Sequence, residues 1–151
     1  SPLHLKRLQG RYPNQDKKNR QQAKKNWAQQ VEIIEQLRKV GVKFTLGSDS
    51  GGAGRNKPMG WTTHVDMENM VSAGFTPMEV ITAATQTAAE SLRLNDLGAI
   101  TQGKEASFVV LDANPIDDIT NTRRINAVYI KGKKVNRQKL RSAWKNTWPK
   151  E

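Results

Sequence analysis

Trp27, Val31, Ile34, Leu37 and Val40 recur at three- and four-residue steps through a stretch otherwise rich in Gln, Lys, Ala and Glu. Straight-chain residues lose little rotamer freedom in a helix, and the spacing gathers the apolar ones on one face. The pattern predicts an amphipathic helix over 15–40, stopped by Gly41, after a leading loop over 1–14 with Pro2, Gly10 and Pro13. Val42 to Leu46 is then a short β-branched and apolar run, with the length and composition of a buried strand. The sequence FTLGSDSGG carries that strand straight into Asp49 and on into small residues. Gly51, Gly52, Gly54, Pro58 and Gly60 make the stretch from Ser50 to Gly60 an irregular loop.

A second helix is predicted from Thr63 to Ala73, with Met67, Met70 and Val71 on one face and Gly74 closing it. Thr76-Pro77-Met78-Glu79 then places Thr at the N-cap, Pro at the first helical position and Glu at the third, which is a capping box. Ile81, Ala84, Ala88 and Leu92 line one face of the helix behind it, which ends near Leu94. Past Gly98 the pattern becomes extended. Ala99-Ile100 and Ser107 to Leu111 read as strands around a turn at Gly103-Lys104, and Asn114-Pro115 breaks the chain. Ile116 to Arg124 reads as a polar excursion. Ala127 to Ile130 and Lys133 to Val135 flank Lys131-Gly132, a hairpin signal. Arg137 to Glu151 reads as a short basic helix bearing Leu140 and Trp144, followed by a tail. The change from helices to strands near residue 95 divides the chain into 1–94 and 95–151.

The 151 residues, 36% hydrophobic and 26% charged, suffice for a domain of ordinary size with one core. No stretch approaches the roughly 18 apolar residues of a membrane span, so no membrane partner is expected. No charged-then-apolar leader opens the sequence as given, and the compartment stays open between cytoplasm and periplasm or exterior. The absence of cysteine excludes disulfides and thiolate metal sites. A net charge of +11, crowded toward both ends, raises the question of nucleic acid. No groove-entering motif, aromatic stacking pattern or dimeric basic helix accompanies it, so the charge reads as a solvated face.

Helix, glycine, strand and polar Gly-rich loop make half of an α/β repeat. In such folds the loops at the carboxyl ends of strands carry the chemistry, and Asp49 stands at such a place. The same residue could equally be an Asx turn, whose side chain bonds its own backbone. The loop is no phosphate cradle, because the GxxxxGK[ST] spacing is absent. His64 and Glu68, four apart on one helical face, could hold a metal, orient a substrate or simply pair at the surface. Arg55 and Lys57 could meet a substrate carboxylate or face solvent, and His4 reads as an exposed loop histidine.

Several blocks in order carry a resemblance: GVKFTLGSDSG (41–51), His64 to Gly74, AGFTPMEVITAATQTAAESLRL (73–94), LGAITQGKEASFVVLDANPIDDI (97–119) and VYIKGKKV (128–135). Over roughly residues 30–140 they resemble the carboxyl-terminal portion of the amidohydrolase superfamily, in its imidazolonepropionase-like and prolidase-like branch. The resemblance implies an α/β fold: the last part of a (β/α)8 TIM-like barrel over 1–94, then strands of a small composite β-sandwich and a basic tail over 95–151. It implies a metal-dependent hydrolase of amide or peptide C–N bonds, with dipeptides ending in proline among its substrates. Asp49 would be the acid after the eighth strand, both metal ligand and proton shuttle. His64, Glu68 and Arg55 would stand on the substrate side. The implied cofactor is one or two divalent ions, zinc first.

The family builds its metal centre from a His-x-His pair, a bridging Lys or Glu and two further histidines, whereas this sequence holds only His4 and His64. One carboxylate does not hold zinc, since catalytic sites generally use three protein ligands. A full barrel takes about 250 residues. The expectation is therefore a fragment that is not a competent hydrolase alone, and that needs the rest of the barrel or a partner chain. Unpaired flanks on strand 42–46 would favour self-association, including a homo-oligomer. One departure is local: after Gly103-Lys104 the family usually has Ala-Asp, and here Ala106 precedes Ser107. Two other readings stay open, a basic module binding nucleic acid or another polyanion, and an inactive structural remnant.

Overall fold

The computed structural model describes residues 17–50 and 60–147. Helix α1 runs Lys17–Lys39 and α2 Trp61–Ser72. Two short helices follow, α3 Pro77–Ala84 and α4 Gln86–Ser91. Then come β1 Phe108–Leu111, a 3-10 turn Ile119–Arg123, β2 Ile125–Ile130, β3 Lys133–Lys134 and α5 Arg137–Thr147. The molecule is an α/β fold whose strands form one antiparallel sheet in the order β1-β2-β3. Phe108 faces Tyr129 across β1 and β2, and their rings stack with centroids 4.7 Å apart. Such a cross-strand aromatic pair holds register. Lys131, at φ 51°, and Gly132 turn β2 into β3, and Val135 N–H extends the pairing by donating to Val128 O.

The core gathers Ala73, Phe75, Val80 and Ile119, with Val31, Ile34, Phe44, Met67, Met70, Val71 and Ile81 packed around them. Helix α2 therefore sets the methionine face that its spacing predicts against the core, half-buried. In α1 only part of the apolar face is used. Val31 and Ile34 reach the core, while Trp27 and Leu37 stay half exposed and Val40 is 76% exposed. Arg38 takes the place the pattern would give an apolar residue. Its guanidinium lies 4.4 Å over the Phe75 ring, donates to Gly74 O, and forks onto both oxygens of Glu79 at 3.0 and 3.1 Å.

Four expectations are corrected. The helix behind the capping box does not run unbroken to Leu94. It breaks at Thr85 (φ −125°, ψ −83°), and the buried residues are Val80, Ala83 and Ala89, while Leu92 is 71% exposed. The break has local causes: Ala83 O accepts from Leu46 N–H, and Thr85 Oγ1 donates back to Ile81 O. Both divert carbonyls from the helical ladder. Gly98 fills the notch with φ 89°, where a Cβ would meet Ala89 Cβ at 2.7 Å and Gln86 Cα at 2.9 Å. Second, 42–46 is extended but forms no ladder with another described strand, and Val42 is exposed. A strand needs a partner strand for its backbone groups, and here Val42 N–H donates back to Leu37 O at the end of α1 while Leu46 N–H donates to Ala83 O in α3. Third, Ala99-Ile100 is not a strand, and Ile100 is 91% exposed. Fourth, the polar excursion over 116–124 contains a 3-10 turn that sends Ile119 and Thr122 into the interior.

Candidate functional site

Two places concentrate chemistry, and the fold builds them differently. The first is the end of the extended segment. Its residues alternate in exposure, with Phe44, Leu46 and Ser48 half-buried and Lys43, Thr45, Gly47 and Asp49 exposed. That period of two is strand geometry, anchored by the Phe44 ring edge-on to Phe75 with centroids 5.1 Å apart. The alternation delivers Asp49 to the open side. Its φ of 44° is left-handed, a conformation Asp tolerates better than most residues. The hydroxyls of Ser48 and Ser50 meet at 3.0 Å on either side of it.

The second place joins α2 to the 3-10 turn. Glu68 makes a close ion pair with Arg123, whose guanidinium also covers the Trp61 ring at 4.5 Å. His64 Nδ1 lies 3.0 Å from Thr122 Oγ1. The buried Thr122 hydroxyl donates its one proton to Ile119 O at 2.8 Å, so the imidazole is the donor to Thr122 Oγ1. A neutral His64 therefore carries its proton on Nδ1 and keeps the lone pair on Nε2. Burial holds the His64 pKa below its ordinary value, the Arg123 charge lowers it further, and Glu68 acts the other way.

Sequence spacing placed His64 and Glu68 on one face, and the structure sets that face against the chain's own Thr122 and Arg123. Arg55, Lys57 and His4 lie outside the described residues. Thr122, Arg123 and Trp61 were not among the sequence candidates. Their signal was Asp118, which caps the turn by accepting from Thr120 N–H at 2.8 Å, followed by Ile119 and Thr122 three apart. Among the described residues no three of His, Cys, Asp and Glu come together in a way that could hold a metal ion. Asp49 is at most one ligand of such an ion.

The sequence profile of the Amidohydrolase family matches residues 15–135. The chain belongs to the amidohydrolase family. It is 35% identical over 74 residues to an adenine deaminase of Desulfitobacterium hafniense (strain Y51), covering 49% of this chain and 12% of that protein. It is 34% identical over 82 residues to an imidazolonepropionase of Pyrobaculum arsenaticum, covering 52% of this chain and 19% of that protein. Among solved structures, molinate hydrolase superposes with a TM-score of 0.66 at 31% identity, over 80% of this amidohydrolase chain and 28% of the other. A Xaa-Pro dipeptidase with bound methionine gives 0.60 at 28% identity, over 70% and 25%. This amidohydrolase chain thus spans a small part of the length of the relatives it matches. The family's homologues are hydrolases of C–N bonds, and its members generally depend on divalent metals.

Proposed function

We propose that this chain supplies the acid–base carboxylate of a metal-dependent hydrolase of amide or peptide C–N bonds, with Xaa-Pro dipeptides as its substrate class. The observation that carries the reading is the placement of Asp49. It is an exposed carboxylate in a left-handed turn, at the end of an extended segment whose alternation aims it outward. The likeness to the Xaa-Pro dipeptidase supports the substrate class.

In this reading the segment 42–46 is the last strand of a barrel, and its unpaired backbone groups meet the strands on either side. Asp49 takes a proton from the attacking water as the water oxygen bonds to the carbonyl carbon. It returns that proton to the nitrogen as the C–N bond breaks. The described residues do not complete a metal site. Asp49 would give one ligand to a divalent ion, zinc in this reading, which would supply polarisation of the carbonyl and of the attacking water. The other donors would come from polypeptide outside the described residues, in the rest of the barrel or on a partner chain.

The test is dipeptide hydrolysis by the whole encoded polypeptide, before and after chelation and zinc restoration, with Asp49→Asn alongside. Removal of a general acid–base group should lower kcat by about a hundredfold or more. Turnover that survives the substitution, or that ignores chelation, would overturn the reading.

A further inference from the structure

A groove with an apolar strip at Ala127 and Val135 opens between the β2–β3 hairpin and the first turns of α5, with a volume of about 560 Å³. Its lining includes Asn126, Lys134, Asn136, Arg137, Gln138 and Arg141, three cations and three neutral amides without a carboxylate. The wider sequence agrees: residues 119–150 contain ten Lys or Arg and no Asp or Glu. Asp112, the acid that comes near, is held by the side chain of Asn126 at 2.7 Å.

The groove is organised without a ligand. Arg137 Nη1 donates to Ile125 O and, more weakly, to Asn126 O, which fixes the guanidinium at the groove floor. Arg141 follows one helical turn later and so stands on the same face of α5. Asn136 caps the helix by accepting from Lys139 N–H at 2.9 Å, which fixes the corner between Lys134 and Arg137. Among the described residues no carboxylate pairs with Lys134, Arg137 or Arg141.

We propose that this groove is an anion site that takes a phosphate group of an organic phosphate or a nucleic-acid strand. Phosphate oxygens accept several charge-assisted bonds at once, and a guanidinium fork matches that geometry. A pre-fixed Arg137 lowers the ordering cost of binding. The concavity suits a compact phosphate ligand, within the size range of ordinary ligand pockets. A flat lipid surface would not fill it. The Asn136 and Gln138 amides in the lining can add neutral donors beside the three cations.

The test measures binding of pyrophosphate by calorimetry and of a labelled single-stranded oligonucleotide by anisotropy, each across a salt series. Lys134→Ala/Arg141→Ala is compared with Lys24→Ala/Lys25→Ala, which removes the same charge from the exposed flank of α1. The groove variant should weaken binding by about tenfold or more, and the α1 variant by much less. For a strand, the salt slope should fall by about 1.4 when two contacts are lost. Groove-dependent binding of pyrophosphate identifies a small phosphate ligand, and such binding of the oligonucleotide alone identifies a strand. Equal weakening by both variants, no binding of either probe, or equally tight groove-dependent capture of poly-aspartate would overturn the proposal. All four replaced residues are exposed, and circular dichroism checks that each variant keeps its fold.

Discussion

His64 Nδ1 donates to Thr122 Oγ1 across 3.0 Å, tying α2 to a turn 58 residues further along the chain. Around this bond the imidazole is held neutral, by burial first and by Arg123 second. The folded-state pKa is therefore lower than the unfolded one, and between the two values the unfolded chain binds more protons. The stabilisation is fully present above the ordinary histidine value of about 6.5 and is lost as pH falls below it. Thermal melts should show Tm dropping as pH falls below about 6.5, with a shallower drop in His64→Gln. Identical pH slopes in the two proteins would refute the assignment.

The neighbouring charges offer a sharper readout. Arg123 lowers the His64 pKa and Glu68 raises it. Nuclear magnetic resonance titration of His64 should move upward in Arg123→Leu and downward in Glu68→Gln. The two side chains are about 30% exposed (31% and 28%) while the contacting Glu68 Oε1 is buried, so solvent screens the pair only in part. A double-mutant cycle should return a coupling of about 1 kcal/mol rather than the several expected of a dry pair. A coupling near zero would mean the pair adds no stability.

Gly98→Ala should be among the most damaging small changes. The new methyl would sit 2.9 Å from Gln86 Cα and 3.0 Å from Thr85 O, and φ 89° already disfavours any side chain. Overpacking of this kind costs about 1–3 kcal/mol, read as a fall in the denaturation midpoint. Gly103→Ala shares the positive φ but meets nothing within 4 Å, so it should cost less. Equal losses would show that backbone strain, not the close approach, governs Gly98.

Thr76→Ala should destabilise by about 1 kcal/mol, because it removes the hydroxyl that accepts from Glu79 N–H. The Thr76 backbone N–H bonds Glu79 at 2.7 Å and holds its pKa below the usual carboxylate value, with Arg38 adding to the effect. A depressed acid stabilises above its unfolded pKa and loses that contribution as pH falls through the folded value. Glu79→Gln should therefore lose less stability in acid than at neutral pH. A difference that does not change with pH would overturn the linkage.

Local chemistry was readable before any tertiary contact was known. The capping box at Thr76 and Glu79, the stop at Gly41, the methionine face of α2 and the hairpin at Lys131-Gly132 each depend on residues a few positions apart. The sequence also showed Asp49 following an apolar run, while the alternating exposure that leaves it on the open side is read from the structure. Distance along the chain hid the rest. Arg38 replaces an apolar residue in the core-facing stripe because Phe75 and Glu79 wait opposite it. The helix breaks at Thr85 because Leu46 N–H takes the Ala83 carbonyl and the Thr85 hydroxyl takes that of Ile81, and Gly98 packs into the notch. His64 and Glu68 share a face by spacing alone, but only packing of the 3-10 turn decides that Thr122 and Arg123 fill it. Periodicity reports which side of an element is apolar. Which partner covers that side is set by contacts between residues far apart in sequence, where the free energy of burial and pairing is won or lost.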